Sequence, residues 1–206
     1  THYGMTLEDV RAAETFDRCM TSSGYAQLRK EMAAFNAGSK AYKRGMAVIP
    51  VCFGISFTKI MLNQGGALVH VFNDGSVSVS TGAIEMGQGV GRKIAVITAR
   101  TLGAAESVIR IESTRTTTVA NTVATAASTG ADINGMAARM AALQIRDRLV
   151  ALAAAKLGVA PELVDIADGA VRIRDKAGDR TGQATDLTFT KLAAMAYEQR
   201  VDLSAH

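Results

Sequence analysis

Residues 82–91 constrain the fold most strongly, because they form a glycine-rich turn between a strand-like run and a helix-like run. Gly87, Gly89 and Gly91 alternate, and the amide side chain of Gln88 lies between the first two. Glycine allows positive φ and close approach of the backbone to a ligand. Such a turn also presents free N–H groups that favour an anion. The segment predicts either a plain turn or a site for a phosphorylated small molecule, and taken alone it favours the plain turn.

Composition narrows the classes of protein that fit this chain. Its 206 residues are enough for one large domain or two small lobes, and 48% hydrophobic residues are typical of a globular protein. The net charge of +4 is spread without a run of four or more Lys or Arg, which argues against nucleic acid as a partner. We expect no membrane partner, because no apolar run reaches membrane-spanning length. Two cysteines at no metal-like spacing fit a reducing, cytoplasmic setting.

The first part of the chain predicts helices followed by a strand. Residues 1–38 have helical spacing, with Thr6 as the N-cap of the first helix and Leu7 and Val10 on its apolar face. Residues 43–62 are apolar and rich in β-branched side chains. Their alternation places Phe53, Ile55 and Phe57 on one face of a strand, where the pattern favours a core role for both phenylalanines.

The remainder predicts mixed strands and helices, and therefore an α+β fold. The long helix should place Met136 and Met140 in the core. In chain order, the predicted elements are a hairpin over 67–80, a helix over 93–102, a strand over 108–111, a helix over 132–157, a hairpin over 165–173 and a helix ending at Arg200.

Residues 113–130 have neither a helical nor a strand period and are crowded with threonine. Short hydroxyl side chains bond to their own backbone, so the segment predicts an ordered loop. Long ordered loops in compact domains are often functional. The small residues that follow leave the backbone exposed at the start of the long helix, which is a second place where an anion or a bulky cofactor could bind.

Three segments taken together resemble one family. Residues 53–58 read Phe-Gly-Ile-Ser-Phe-Thr, residues 85–89 read Glu-Met-Gly-Gln-Gly, and residues 125–135 contain Thr-Ala-Ala-Ser and Ala-Asp-Ile-Asn-Gly. In order and spacing they resemble the molybdenum-cofactor-binding part of the xanthine dehydrogenase and aldehyde oxidase family, most strongly the xanthine dehydrogenases. The resemblance implies that residues 43–206 are part of the second molybdopterin-binding domain, with residues 1–42 as a helical lead-in.

The resemblance also implies the roles of individual residues. Phe57 would pack against a planar purine and Thr58 would contact the substrate. The main chain of Ala127 would lie near the molybdenum. The residues implied to bind the cofactor, molybdenum–molybdopterin, are Met86, Gly87, Gln88, Gly89, Ala127 and Ser128.

In the complete enzyme that the resemblance implies, 2Fe-2S clusters, FAD and NAD act as further cofactors. That enzyme would oxidise hypoxanthine or xanthine to urate with oxygen from water, and electrons would leave through the iron–sulfur clusters to FAD and NAD. Its implied partners are the remainder of the molybdenum-binding subunit, the iron–sulfur and FAD domains or subunits, and the purine. An aldehyde oxidase or another N-heterocycle hydroxylase is the alternative.

The family's catalytic base is a glutamate in a Gly-Val-Gly-Glu context, which this sequence lacks. Residues 89–92 read Gly-Val-Gly-Arg and end in the opposite charge. We therefore expect no catalytic residue in this chain. We interpret the chain as a fragment or split piece of the subunit, and expect it to be inactive in isolation.

Overall fold

The computed structural model describes residues 4–51, 53–177 and 182–206. Contacts divide the chain into two compact units, Thr1–Gly54 and Ile55–His206. The predicted α+β class is confirmed by five α-helices and two sheets among the described residues. The domain boundary after residue 42 stays a prediction. In the part of the chain that the structure describes, no helix combines the length and the apolar character needed to cross a membrane.

The first unit contains helices α1, Ala12–Ser22, and α2, Tyr25–Gly38. The predicted N-cap at Thr6 is wrong, because α1 begins six residues later. Asp9 adopts a φ of 51°, which a continuous right-handed helix does not allow. Leu7 and Val10, predicted to share an apolar face, are accordingly exposed.

The predicted strand over residues 43–62 is also wrong. Its described residues contain no strand, only a short 3-10 helix at Ile60–Leu62. Ser56 has a φ of 73°, which interrupts any extended run at that point. Phe53 is 71% exposed rather than in the core, and Phe57 is half-buried. An apolar, β-branched composition favours a strand only where a neighbouring strand is available to pair with it.

The second unit contains the remaining helices and both sheets. The first sheet has the order β3-β2-β1-β7, with β1 antiparallel to β2 and β7, and β3 parallel to β2; the second is the antiparallel sheet β4-β5-β6. The elements are β1 (Ala67–Val71), β2 (Val77–Thr81), α3 (Val90–Leu102), β3 (Ile109–Ile111), α4 (Gly135–Leu157), β4 (Val164–Ala167), β5 (Ala170–Arg174), β6 (Gly182–Thr188), α5 (Phe189–Glu198) and β7 (Ser204–Ala205).

Helix α4 supplies the centre of the core through a face made mostly of alanine side chains. Ala138, Ala142 and Ile145 on one of its faces are fully buried, and α3 packs closely against the helix. Met136 and Met140 lie outside this face and are 51% and 60% exposed, so their predicted core role is wrong. The alanine-rich face allows neighbouring backbones to come close, and leaves no gap there for a long methionine side chain to fill.

One buried carboxylate joins three elements of this unit. Asp165 on β4 accepts from Arg146 of α4 at 3.2 Å and from Arg174 of β5 at 2.6 Å. A second nitrogen of Arg146 donates to the carbonyl oxygens of Thr101 at 3.2 Å and of Ile166 at 2.9 Å. The end of α3 is thereby fixed to α4 and to the second sheet.

Candidate functional site

The glycine-rich turn is closed by a carboxylate of its own chain. Glu85 Oε1 accepts from the backbone N–H groups of Gly87 and Gly89, both at 2.9 Å, and Oε2 accepts from Gly91 N–H at 3.1 Å. These bonds, led by those from Gly91 and Gly89, hold the pKa of Glu85 below its usual value. The expectation that these N–H groups are free for an external anion is therefore wrong.

The side chain of Gln88 folds back over the same turn. Its Oε1 accepts from Met86 N–H at 2.6 Å, and its Nε2 donates to the carbonyl oxygen of Ile84 at 2.8 Å. A carboxamide has two N–H donors and two lone pairs on its oxygen. Both ends of the Gln88 amide thus keep capacity for a further partner while they brace the turn.

The threonine-rich loop is bonded to the first residues of this turn. Thr125 Oγ1 accepts from Ile84 N–H at 2.9 Å. Gly82 lies directly against Thr122, and a Cβ at position 82 would lie 2.1 Å from Thr122 Oγ1. Only glycine permits this approach. The predicted ordered loop and the glycine-rich turn are therefore held together by a hydrogen bond and by close packing.

Two consecutive residues of the loop adopt left-handed backbone conformations. Ala127 has a φ of 51° and Ser128 a φ of 55°. For residues other than glycine this costs of order 1–2 kcal/mol each. Such strain clusters at functional sites, and successive N–H groups in turn conformations can form concave anion sites. The strain therefore marks these two residues as candidates for binding.

The turn and the loop together enclose a cavity of about 370 Å³. Met86, Gln88 and Ser128 line it, whereas Gly87, Gly89 and Ala127 are their chain neighbours. Among the described lining residues, Lys93 alone carries a formal charge. The lining residues are Met86, Gln88, Val90, Lys93, Thr125, Ala126, Ser128, Thr129, Gly130 and Ala131.

The segment predicted to bind substrate lies next to Ala127. Ser56 N–H donates to the carbonyl oxygen of Ala127 at 3.0 Å. Asn63 holds the backbone of Phe57 at both ends, accepting from its N–H and donating to its carbonyl oxygen, each at 2.8 Å. Phe57 is half-buried and Thr58 is exposed, and neither lines the 370 Å³ cavity. The structure therefore connects this segment to the strained loop through the backbone.

Sequence reasoning missed the parts played by Glu85, Lys93 and Asn63. A signal for Lys93 was present, because a cation in the first turn of a helix opposes the helix dipole. Arg92 beside it is paired with Glu106 at 3.4 Å, whereas Lys93 has no ion pair among the described residues. A residue whose charge is unfavourable in its local position, and is not offset by an ion pair, is a candidate for function. Asn63 gave no such signal, since its clamp on Phe57 depends on the folded backbone.

Most of the chain matches a known protein family. Residues 18–206 match the family model described as "Molybdopterin cofactor-binding domain". Over 149 residues the chain is 46% identical to a xanthine dehydrogenase of Emericella nidulans, covering 72% of this chain and 11% of that protein. The chain thus spans only a small part of that relative's length.

Two solved structures share the fold. Quinoline 2-oxidoreductase from Pseudomonas putida 86 matches with a TM-score of 0.56 and 27% identity, covering 68% of this chain and 18% of that one. Reconstituted CO dehydrogenase from Oligotropha carboxidovorans matches with a TM-score of 0.65 and 21% identity, covering 92% of this chain and 25% of that one.

Proposed function

Since the chain belongs to the molybdopterin cofactor-binding domain family, we propose that it forms part of the cofactor cradle in the molybdenum-binding subunit of a xanthine dehydrogenase-like hydroxylase. The observation that carries the proposal is the cavity shared by the glycine-rich turn and the threonine-rich loop, with Lys93 as its charged lining residue. Two of the three segments that suggested the family from sequence enclose it, and the third is bonded to its loop through Ser56.

The residues present fit a pterin that carries a phosphate. Lys93 supplies a positive charge, Ser128 a hydroxyl group and Gln88 an amide that can both donate and accept. Ligand pockets in proteins usually enclose about 300–1,000 Å³. The cavity of about 370 Å³ falls at the lower end of that range, as expected for one wall of a site that other parts of the subunit complete.

We assign the roles that the family resemblance implies, and these positions support them. Gln88 would bond the pterin, with Met86, Gly87 and Gly89 providing the backbone around it, and Ser128 would donate from the threonine-rich loop. The main chain of Ala127 would lie near the molybdenum. When bound, the cofactor supplies the redox chemistry that hydroxylates a purine carbon, and this chain holds and orients it.

Phe57 and Thr58 provide one wall of the substrate pocket. The Asn63 clamp keeps the Phe57 backbone in place, and the bond from Ser56 to Ala127 holds the segment against the cofactor-binding loop. Contact between an aromatic side chain and a flat heteroaromatic ring contributes about 0.5–1.5 kcal/mol beyond the burial of area.

Exposed apolar side chains near the cradle support the proposal that further protein covers it. Met86 is 67% exposed and Ile84 is 52% exposed. Exposed apolar surface at a site is typical of an interface. We assign the cover to the remainder of the molybdenum-binding subunit, with iron–sulfur and FAD domains or subunits completing a cytoplasmic enzyme that uses NAD.

The cofactor contacts can be tested in the assembled subunit. Gln88→Ala and Lys93→Met should each lower its pterin and molybdenum content about tenfold or more, because a hydrogen bond to a charged group contributes about 1.5–3 kcal/mol. Arg100→Met, on the same helix but outside the cavity, is the matched control and should retain full content. Unchanged pterin and molybdenum in both test variants would contradict the assignment.

The substrate wall can be tested with two phenylalanines. Phe57→Ala should lower kcat/KM for xanthine about two- to tenfold, from the loss of about 0.5–1.5 kcal/mol of ring contact, and should change the rate with a small aliphatic aldehyde much less. Phe53→Ala removes a 71% exposed ring and should leave both rates unchanged. Equal losses for xanthine and the aldehyde would argue against ring stacking at Phe57.

Hydroxylation of another N-heterocycle is the second candidate, favoured by the structural match to quinoline 2-oxidoreductase. Steady-state rates of the assembled enzyme with xanthine, hypoxanthine, quinoline and aromatic aldehydes distinguish the candidates. We expect the highest kcat/KM with a purine. A preference for quinoline or for an aldehyde would replace the purine assignment while leaving the cofactor cradle intact.

A further inference from the structure

Glu85 has no part in the roles proposed above, yet it makes more bonds to the glycine-rich turn than any cofactor-assigned residue. Both of its carboxylate oxygens are used, and three backbone N–H groups converge on them within 3.1 Å. Convergent N–H groups at the start of a helix form the kind of concavity that holds an anion. Here the anion is a side chain of the same turn.

Side-chain packing does not hold Gly87 and Gly89 in place. A Cβ added to Gly87 or Gly89 would have no atom within 4 Å, and both residues have positive φ, of 94° and 74°. Glycine loses more conformational freedom on ordering than any other residue. These two glycines therefore depend on hydrogen bonds, and the Glu85 carboxylate accepts from both of them as well as from Gly91.

The position of Gln88 depends on the same backbone. Its amide is bonded to Met86 N–H and to the Ile84 carbonyl oxygen. A change in the backbone of the turn would therefore also move the Gln88 side chain. We propose that Glu85 is a positioning residue that fixes the backbone of residues 87–91 and thereby holds Gln88 against the cavity. The identity of the ligand rests on the proposed function, whereas the hydrogen bonds from the turn to Glu85 do not depend on it.

The first test uses the 206-residue chain labelled with ¹⁵N-glycine. At neutral pH we expect downfield amide proton resonances for Gly87, Gly89 and Gly91, because charge-assisted bonds to a carboxylate are short and strong. Glu85→Gln should move these three upfield and leave the other glycines unchanged. A glutamine has one accepting oxygen and one NH₂ group in place of the two carboxylate oxygens, so its NH₂ group would face a backbone N–H. Glu106→Gln, which alters an exposed carboxylate paired with α3, is the matched control.

The pH dependence has a definite sign. The pKa of Glu85 is lowered in the folded chain, so the stabilisation is present above the ordinary glutamate pKa and is lost as the pH falls through the lowered value. In the wild-type chain the three glycine resonances should therefore shift together on acidification. Three resonances that are unchanged by Glu85→Gln at neutral pH would overturn the clamp.

The second test asks whether the clamp acts through Gln88. In the assembled subunit, Glu85→Gln should lower pterin content about tenfold, the size typical for loss of a partner that orients a ligand. Glu85→Gln combined with Gln88→Ala should lose no more pterin than Gln88→Ala alone, because both changes remove the same contact. A merely structural role would give additive losses. Full pterin content in Glu85→Gln, or additive losses, would overturn the positioning role.

The two tests separate the two proposals. If the wild-type subunit holds no pterin, the proposed function fails, while the glycine resonances still decide whether Glu85 clamps the turn. If the subunit holds pterin and the glycine resonances do not respond to Glu85→Gln, the cofactor cradle stands and the positioning role fails.

Discussion

Asp165→Ala should lower the free energy of unfolding by about 3–5 kcal/mol, the range found when one partner of a buried ion pair is removed. The side chain of Asp165 is 13% exposed, and those of Arg146 and Arg174 are 20% and 23% exposed. Without the carboxylate, two guanidinium groups would remain close together in a site poor in water. Native domains are stable by only about 5–15 kcal/mol, so the loss should show as a large fall in the midpoint of chemical denaturation.

Glu106→Ala is the control for this prediction. Glu106 also pairs with an arginine, Arg92, but their side chains are 48% and 81% exposed. Exposed ion pairs contribute about 0–1 kcal/mol. Equal denaturation midpoints for Asp165→Ala and Glu106→Ala would show that the buried cluster does not fasten the second sheet to α4.

Gly103→Ala should destabilise the chain by about 2–5 kcal/mol, because a left-handed conformation costs an L-residue about 1–2 kcal/mol and overpacking adds about 1–3 kcal/mol. Gly103 ends α3 with a φ of 75°, and a Cβ there would lie 1.9 Å from the carbonyl oxygen of Ile166. The carbonyl belongs to β4, so it can move away only if the second sheet moves as well.

Gly158→Ala separates the two contributions. Gly158 ends α4 with a similar φ of 68°, but a Cβ at that position meets no atom within 4 Å. Gly158→Ala should therefore lower the free energy of unfolding only by the cost of the left-handed conformation, about 1–2 kcal/mol. Thermal unfolding of both variants provides the comparison, and a loss in Gly158→Ala as large as in Gly103→Ala would remove the contact with Ile166 as the cause.

The sequence correctly predicted the turn and the helix ends whose backbone geometry depends on one or two nearby residues. Asp168 and Gly169, both with positive φ, form the turn of the hairpin predicted over residues 165–173. Thr188 caps the last predicted helix, α5, by accepting from Lys191 N–H at 3.2 Å. Gly158 follows the last residue of the long helix, Leu157, where the sequence predicts that helix to end. In each case one residue type satisfies a backbone requirement within a few positions along the chain.

The predictions that failed depended on partners distant in sequence. The run containing Phe53 has strand composition, but its described residues pair with no strand. Strand β7 has only two residues and no period of its own. Residue type predicts Met136 and Met140 in the core, whereas the buried face of α4 is made mostly of alanines, together with Ile145 and Leu149. Strand propensity and residue type predict structure poorly where contacts between distant residues decide which segments pair and which side chains are buried.

For the candidate site, the family resemblance drawn from three separated motifs is confirmed by the family match over residues 18–206 and by the xanthine dehydrogenase relative. The roles of the individual residues stay predictions. Sequence alone could not show that the N–H groups of the glycine-rich turn are already bonded to Glu85, because that depends on where the carboxylate folds back.

The pairing of β7 with β1 has a consequence for the order in which the first sheet is completed during synthesis. Val69 and His70 pair with Ala205 and Ser204. The edge of β1 that faces β7 therefore stays unpaired until residues 204 and 205 have emerged from the ribosome. The β1–β2 hairpin can form as soon as residue 81 is made, since its pairing is local. Contacts between distant parts of a chain are slow to form. A nascent chain therefore carries an open edge of β1 while residues 82–203 are being made, and during that interval its unpaired backbone groups can pair with another chain.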